Sequence, residues 1–185
     1  MERLKAGESA LIEDRRYRVL SLLGHGKGGY SYLVEADGML CVLKAIHHEP
    51  CPYYSFGNKI EAEARDYHIL LEAGIPIPKM LFLDKKKEII LKEYIEGPTI
   101  FDIVKEGKDA SPYIDEVRLL ANKAMKKGIN IDYFPTNFVV HNSHLFYVDY
   151  ECNEYKEEWD FEHWGIKYWS LTPEFKAHLE KEEGR

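Results

Sequence analysis

The sequence predicts an α+β chain in two lobes, the first rich in β-strands and the second mainly helical. Three observations predict this. Short β-branched and aromatic runs separated by turn residues fill residues 1–49. One well-capped helix follows them. Beyond residue 98 the apolar spacing is chiefly that of helices.

Residues 17–23, 30–35 and 40–46 read as strands, with Asp37-Gly38 turning between the last two. Glycines at 24–29 interrupt the first pair. Residues 58–73 read as a helix that Asn58 can cap and that Gly74 and Pro76 stop. Strands at 79–83 and 88–95 follow, around a turn at 84–87. A short helix is expected over 98–105, with Pro98 in its first turn. Residues 112–127 form the clearest helix, with Ile114, Val117, Leu120, Ala121, Ala124 and Met125 in one apolar stripe. Strands at 138–141 and 144–148 pair around Asn142-Ser143, and a last helix begins near Pro173. Trp159, Phe161, Trp164, Tyr168 and Trp169 read as core packing.

With 185 residues, 45% apolar and 13% aromatic, the chain can build a real core. A net charge of −7 argues against a dedicated nucleic-acid binder, which usually carries a basic face. Cys41, Cys51 and Cys152 form no CxxC pair and leave one over in any disulfide scheme, so reduced thiols are expected. Residues 1–7 carry no apolar signal-peptide core, and no apolar run approaches the ~18 residues that span a membrane. The expectation is a cytoplasmic protein.

Five features carry chemistry. Gly24-His25-Gly26-Lys27-Gly28-Gly29 holds G-x-G-x-x-G between two strands, and glycines there let backbone N–H groups approach phosphate oxygens. A dinucleotide fingerprint shares that spacing but needs a helix straight after it; here Tyr30-Ser31-Tyr32-Leu33-Val34 continues as strand. Lys44 interrupts the apolar strand Cys41-Val42-Leu43-Lys44-Ala45-Ile46 and wants an anionic partner, unless it is an edge lysine facing water. At the helical period Glu63 falls among Ile60, Ala64, Tyr67, Leu70 and Leu71, whereas Glu61, Arg65, His68 and Glu72 share the opposite face. Glu63 is therefore the better partner for Lys44, and Glu61 reads as a solvated capping residue. Asp132 and Asn137 stand in Asp-x-x-Pro-x-Asn between helix and strand, suited to orienting a hydroxyl and ligating magnesium. Asp149 ends an apolar strand twelve residues later, where a carboxylate suits Mg²⁺ bridging phosphates.

As a set, Gly24/Gly26/Gly29, Lys44, Glu63, Asp132, Asn137 and Asp149 resemble the signature of protein-kinase-like enzymes. Glu93-Tyr94-Ile95-Glu96-Gly97 resembles their hinge, and the resemblance covers roughly residues 17–151. Within that superfamily the chain looks most like small atypical kinases: the RIO kinases, the KEOPS-complex kinase and the lipopolysaccharide-core kinases. Gly74-Ile75-Pro76-Ile77-Pro78 is similar to the G-I-P-x-P of those groups and of aminoglycoside phosphotransferases.

The resemblance implies one kinase-like domain over residues 1–185, with an N-lobe to about residue 95, a hinge near 93–97 and a C-lobe from about 98. It implies ATP and Mg²⁺ as cofactors. The glycines and Lys44 would hold phosphates, with Glu63 orienting Lys44. Backbone at Glu93 and Ile95 would receive adenine. Asn137 and Asp149 would hold magnesium, and Asp132 would position the acceptor hydroxyl. The implied activity is that of an atypical serine/threonine protein kinase capable of autophosphorylation, acting on a protein acceptor or partner. Two other readings stand beside it: a small-molecule or glycan kinase or partner-driven ATPase, and a pseudokinase scaffold. Retention of Lys44, Glu63, Asp132, Asn137 and Asp149 speaks against the scaffold.

The departures from the pattern are specific. Asn130-Ile131-Asp132 stands for H-R-D, which removes the arginine that senses a phosphorylated loop. Asp149-Tyr150-Glu151 stands for D-F-G, and Phe134 takes the place of a frequent lysine. Lys92 precedes Glu93 where an apolar residue is usual. The 36 residues after Asp149 hold no A-P-E, so a truncated C-lobe without the usual helical substrate platform is expected. His47-His48-Glu49-Pro50-Cys51 offers metal-ligand types, but its spacing matches no tetrahedral zinc pattern.

Overall fold

Alternating burial builds a six-stranded antiparallel sheet in the order β1-β2-β3-β4-β6-β5. Its strands are β1 (Ser9–Ile12), β2 (Arg15–His25), β3 (Gly29–Ala36), β4 (Met39–Ile46), β5 (Met80–Asp84) and β6 (Ile89–Glu93). The computed structural model describes residues 3–26, 28–49 and 58–183. Lys27, Pro50 and Cys51, singled out in the sequence, lie outside them. Asp37 and Gly38 both take positive φ, 51° and 78°, as a type I′ hairpin turn requires. Strand β2 shifts register twice against β3, a bulged pairing that sharpens the local twist.

β4 lies between β3 and β6, so both its edges are hydrogen-bonded. Cys41, Leu43 and Ala45 join Tyr17, Val19, Tyr32, Val34, Ile89 and Leu91 in one apolar cluster. Val42, Lys44 and Ile46 therefore point to the opposite face. The cross-strand register, Val42 to Lys92 and Lys44 to Ile90, puts Ile90 and Lys92 there with them.

The helix α1 (Lys59–Glu72) starts where Asn58 Oδ1 accepts from the Glu61 N–H at 3.3 Å. It stops at Gly74, whose φ of 69° turns the chain while the Gly74 and Ile75 amides donate to Leu71 and Leu70 carbonyls. Its buried arc is centred on Lys59, Glu63, Asp66 and Leu70 rather than on the apolar residues alone. That rotation leaves Leu71 exposed, against the expectation that it shares the buried face.

The remaining elements are α2 (Ile100–Lys105), α3 (Ile114–Lys126), the short pair β7 (Ile129–Ile131) with β10 (Cys152–Glu154), the hairpin β8 (Phe138–His141) with β9 (His144–Tyr147), and α4 (Pro173–Glu183). A capping box between Thr99 and Asp102 starts α2 two residues later than Pro98 suggests. α3 buries Val117, Leu120 and Ala124, but Met125 at the end of its expected stripe is exposed. Asn142 and Ser143, with φ of 49° and 66°, turn β8 into β9. Among the tail aromatics Phe161 and Trp169 are buried, with the Trp169 indole N–H donating to the Tyr133 carbonyl at 2.9 Å, while Trp159 is exposed.

The chain forms two compact units: Met1–Arg65 with Pro78–Tyr94, and Asp66–Ile77 with Ile95–Arg185. The α+β composition is as expected, with the strands concentrated in the first unit and the helices in the second. Among the described residues no helix is long and apolar enough to cross a membrane.

Gly97 sits at φ 154°, and a Cβ there would lie 2.0 Å from the Val140 carbonyl oxygen. Gly97→Ala should therefore cost at least about 2 kcal/mol. Thermal denaturation followed by circular dichroism should show Tm lower by ~4–8 °C. Glu96→Ala, at an exposed neighbour, should stay within about 0.5 kcal/mol of the parent.

Candidate functional site

In the first unit, Lys44 Nζ meets Glu63 Oε1 at 2.6 Å, with the two residues only 8% and 9% exposed. The strand is central, which removes the reading of Lys44 as an edge lysine facing water. Neither charge has much solvent, so each depends on the other. Removing one partner of such a pair strands the other, at about 3–5 kcal/mol. Glu61 stands apart, exposed, 3.5 Å from Lys85 Nζ. Two further cations lie in the same unit and were not singled out as paired. Lys59 is buried and donates to the His47 carbonyl at 2.7 Å. Lys92, 5% exposed, shares the sheet face of Lys44.

The glycines divide into separate roles. Gly29 packs against β4, and a Cβ there would fall 2.4 Å from the Ala45 carbonyl oxygen. A Cβ on Gly28 would meet Glu63 Oε1 at 3.4 Å and Lys44 Nζ at 3.6 Å, so this residue lies directly over the ion pair. Nothing lies within 4 Å of a Cβ on Gly24 or Gly26. Packing among the described residues gives no reason for glycine at those two positions, and close approach of a ligand to the backbone would. The turn closes on itself through the Gly26 N–H and the Gly29 carbonyl, 3.1 Å apart.

In the second unit, Asp132 follows β7 directly and accepts the Phe134 N–H at 3.0 Å. Asn137 ends a single 3₁₀ turn, Pro135–Asn137, that the sequence Phe134-Pro135 starts. Its Nδ2 donates to the Asp132 carbonyl at 3.3 Å, which orients the amide oxygen away from that contact. The Val148 N–H donates to the Asn137 carbonyl at 2.9 Å, and Asp149 accepts the Tyr150 N–H at 2.8 Å. All three side chains are half-buried.

Tyr147 ties these loops together. Its hydroxyl accepts the Asp132 N–H at 3.2 Å and donates to the Glu151 carbonyl at 2.8 Å. Burial, then the charges of Asp149, Asp132 and Glu151, push its pKa well above the ordinary tyrosine value, so the neutral hydroxyl is kept. Sequence reasoning missed it. The available signal was a tyrosine at an inward position of a strand, two residues before Asp149. Asn130 is also buried and donates to the Lys156 carbonyl at 2.7 Å, clipping β7 to the chain beyond β10.

Glu93 ends β6, with its N–H on the Lys79 carbonyl at 2.9 Å and its carboxylate accepting the Lys79 N–H at 3.2 Å. Ile95 is buried and begins the main segment of the second unit.

The crystal structure of the BubR1 kinase domain aligns with this chain at a TM-score of 0.58 and 15% sequence identity, over 81% of this chain and 51% of that one. The fold is protein-kinase-like. The chain spans about half the length of that solved chain. No protein-family model matches it, and no curated protein does.

Two outcomes follow from this geometry. Gly29→Ala should lower Tm by several degrees through its clash with Ala45, while Gly26→Ala should leave Tm unchanged within about 1 °C. Tyr147→Phe removes the hydroxyl that links the Asp132 N–H to the Glu151 carbonyl, at about 1–3 kcal/mol by chemical denaturation. An unchanged denaturation midpoint in Tyr147→Phe would contradict that role.

Proposed function

We propose that the chain is an ATP- and magnesium-dependent phosphotransferase, an atypical serine/threonine protein kinase able to phosphorylate itself. The observation that carries this reading is the buried Lys44–Glu63 pair under Gly28. An ammonium fixed by a carboxylate, beside a turn with open glycines, is a ready donor set for phosphate oxygens. The residues fit the implied cofactors. Gly24 and Gly26 leave their backbone open to close approach. Asn137 and Asp149 offer hard oxygen donors of the kind magnesium takes.

In this reading the glycine turn and Lys44 bind the phosphates, and Glu63 holds Lys44 extended. Asn137 and Asp149 hold magnesium, which when bound neutralises charge on the phosphates. Asp132 orients the acceptor hydroxyl and accepts its proton. Backbone at Glu93 and Ile95 takes the adenine edge. The work asked of the protein is positioning and electrostatic stabilisation. Lys92 adds a second buried cation on the face of Lys44, a feature that separates this chain from the usual pattern.

The test is ADP release and transfer of labelled phosphate by the pure protein with Mg–ATP. Asp149→Asn should abolish turnover, and Lys44→Met should lower it at least ~100-fold, about 2.7 kcal/mol of transition-state stabilisation. Glu63→Gln should lose far more activity than Glu61→Gln. Label on the protein itself supports the kinase reading, and label on an added sugar or aminoglycoside supports a small-molecule kinase. ADP release without label incorporation supports an ATPase, and no nucleotide turnover at all supports a scaffold. Wild-type turnover by Asp149→Asn would overturn the assignment of the site.

A further inference from the structure

The hairpin that carries the glycine turn also brings together side chains with no part in phosphoryl transfer. His25, at the end of β2, stacks on Tyr30 with ring centroids 4.3 Å apart and planes only 4° from parallel. Its Nε2 lies 3.4 Å from Glu49 Oε2. His47, just past β4, completes the group: one donor atom from each of His25, His47 and Glu49 lies within 4.8 Å of the others. The run from His47 to Cys51 fails as a metal pattern because the missing ligand comes from 22 residues upstream, across the sheet.

The surroundings of His47 and Glu49 are those of ligands. The Nε2–H of His47 donates to the Gly26 carbonyl at 2.9 Å. A carbonyl can only accept, so the proton sits on Nε2 and the lone pair on Nδ1. Metal-bound imidazoles are oriented in this way, with the far nitrogen donating to a carbonyl or carboxylate. The Nδ1 lone pair now takes only a long 3.2 Å contact from the Glu49 N–H, which an ion would replace. Glu49 is held likewise, its Oε1 accepting the Tyr30 hydroxyl at 2.6 Å and leaving Oε2 toward His25. Two ligands at ~2.0–2.1 Å from one tetrahedral ion stand about 3.3–3.4 Å apart. The His25–Glu49 separation of 3.4 Å already has that value.

We infer that His25, His47 and Glu49 form a binding site for a zinc-class divalent ion, with the fourth position open to water. Two imidazoles and one carboxylate suit zinc, copper or nickel and disfavour magnesium, which takes oxygen ligands and gives up water reluctantly. An ion there joins the strand entering the glycine turn to the segment leaving β4. Through His47 and the Gly26 carbonyl it also fixes the turn itself. The inference stands whether or not the chain transfers phosphate.

Zinc titration of the intact chain against a chromophoric chelator at neutral pH tests it without any activity measurement. One equivalent should bind with Kd of about 1 μM or tighter, and millimolar magnesium should not displace it. His25→Ala and Glu49→Gln should each weaken binding at least ~10-fold, and Tyr30→Phe should weaken it by about the same factor through Glu49. His48→Ala changes a ring paired instead with Glu88 at 2.7 Å, and should bind as the parent does. Metal-free melting curves of each variant check that the fold survives. Binding weaker than ~10 μM, or affinity unchanged in both His25→Ala and Glu49→Gln, overturns the site.

Discussion

An ammonium buried in the middle of a sheet constrains everything around it. Lys44 meets Glu63 at 2.6 Å, and the two together fix two other features of the first unit. They fix register, because a one-residue slip of β4 would turn Lys44 into the cluster of Tyr17, Val34 and Leu91 and turn Leu43 out of it. They fix the phase of α1, because the carboxylate must face the strand. A buried pair of this kind is a poor source of stability, since an apolar pair of similar size would serve the fold as well or better. A pair that costs desolvation and adds little stability fits the proposed role of Lys44 at phosphate.

That same argument explains what was legible in the sequence and what was not. A charge inside an apolar run announces itself, so Lys44 and Glu63 stood out without a structure. Turns with φ-positive residues did too, which is why Asp37-Gly38 and Asn142-Ser143 mark their hairpins. The expected face of α1 was drawn through apolar residues, but the true arc is centred on Lys59, Glu63 and Asp66, whose burial depends on partners supplied from elsewhere in the chain. β7 and β10, at three residues each, are too short to show a period, and they pair across some twenty residues. Tyr147 and His25 act through hydrogen bonds and ring stacking to residues 4 to 15 positions away, which hydrophobic periodicity does not record.

The two units hold their candidate site residues by different physical means. In the first, burial does it: Lys44 and Glu63 have one geometry because water cannot offer another. In the second, Asp132, Asn137 and Asp149 remain half-buried, and local hydrogen bonds set their backbone instead. The Tyr147 hydroxyl reaches from the Asp132 amide to the Glu151 carbonyl, so the loops before β8 and after β9 cannot move independently. Buried charge suits a group that must keep a single orientation. Half-exposed oxygens on pinned backbone suit groups that must exchange a hydrated cation or a hydroxyl proton.

This division extends to the cations each set can accept. Asn137 and Asp149 present oxygen alone, the chemistry of a hard ion that keeps much of its water. His25, His47 and Glu49 present two imidazole nitrogens and one oxygen, a softer set whose protons and lone pairs are already sorted by Gly26 and Tyr30. Magnesium is too hard to be held well by the second set. A zinc-class ion prefers its nitrogens to a pair of oxygens. Donor chemistry therefore separates the two cations without any need for selective cavities. In the proposed reading, an ion at His25, His47 and Glu49 would brace the glycine turn without competing for the oxygens of Asn137 and Asp149.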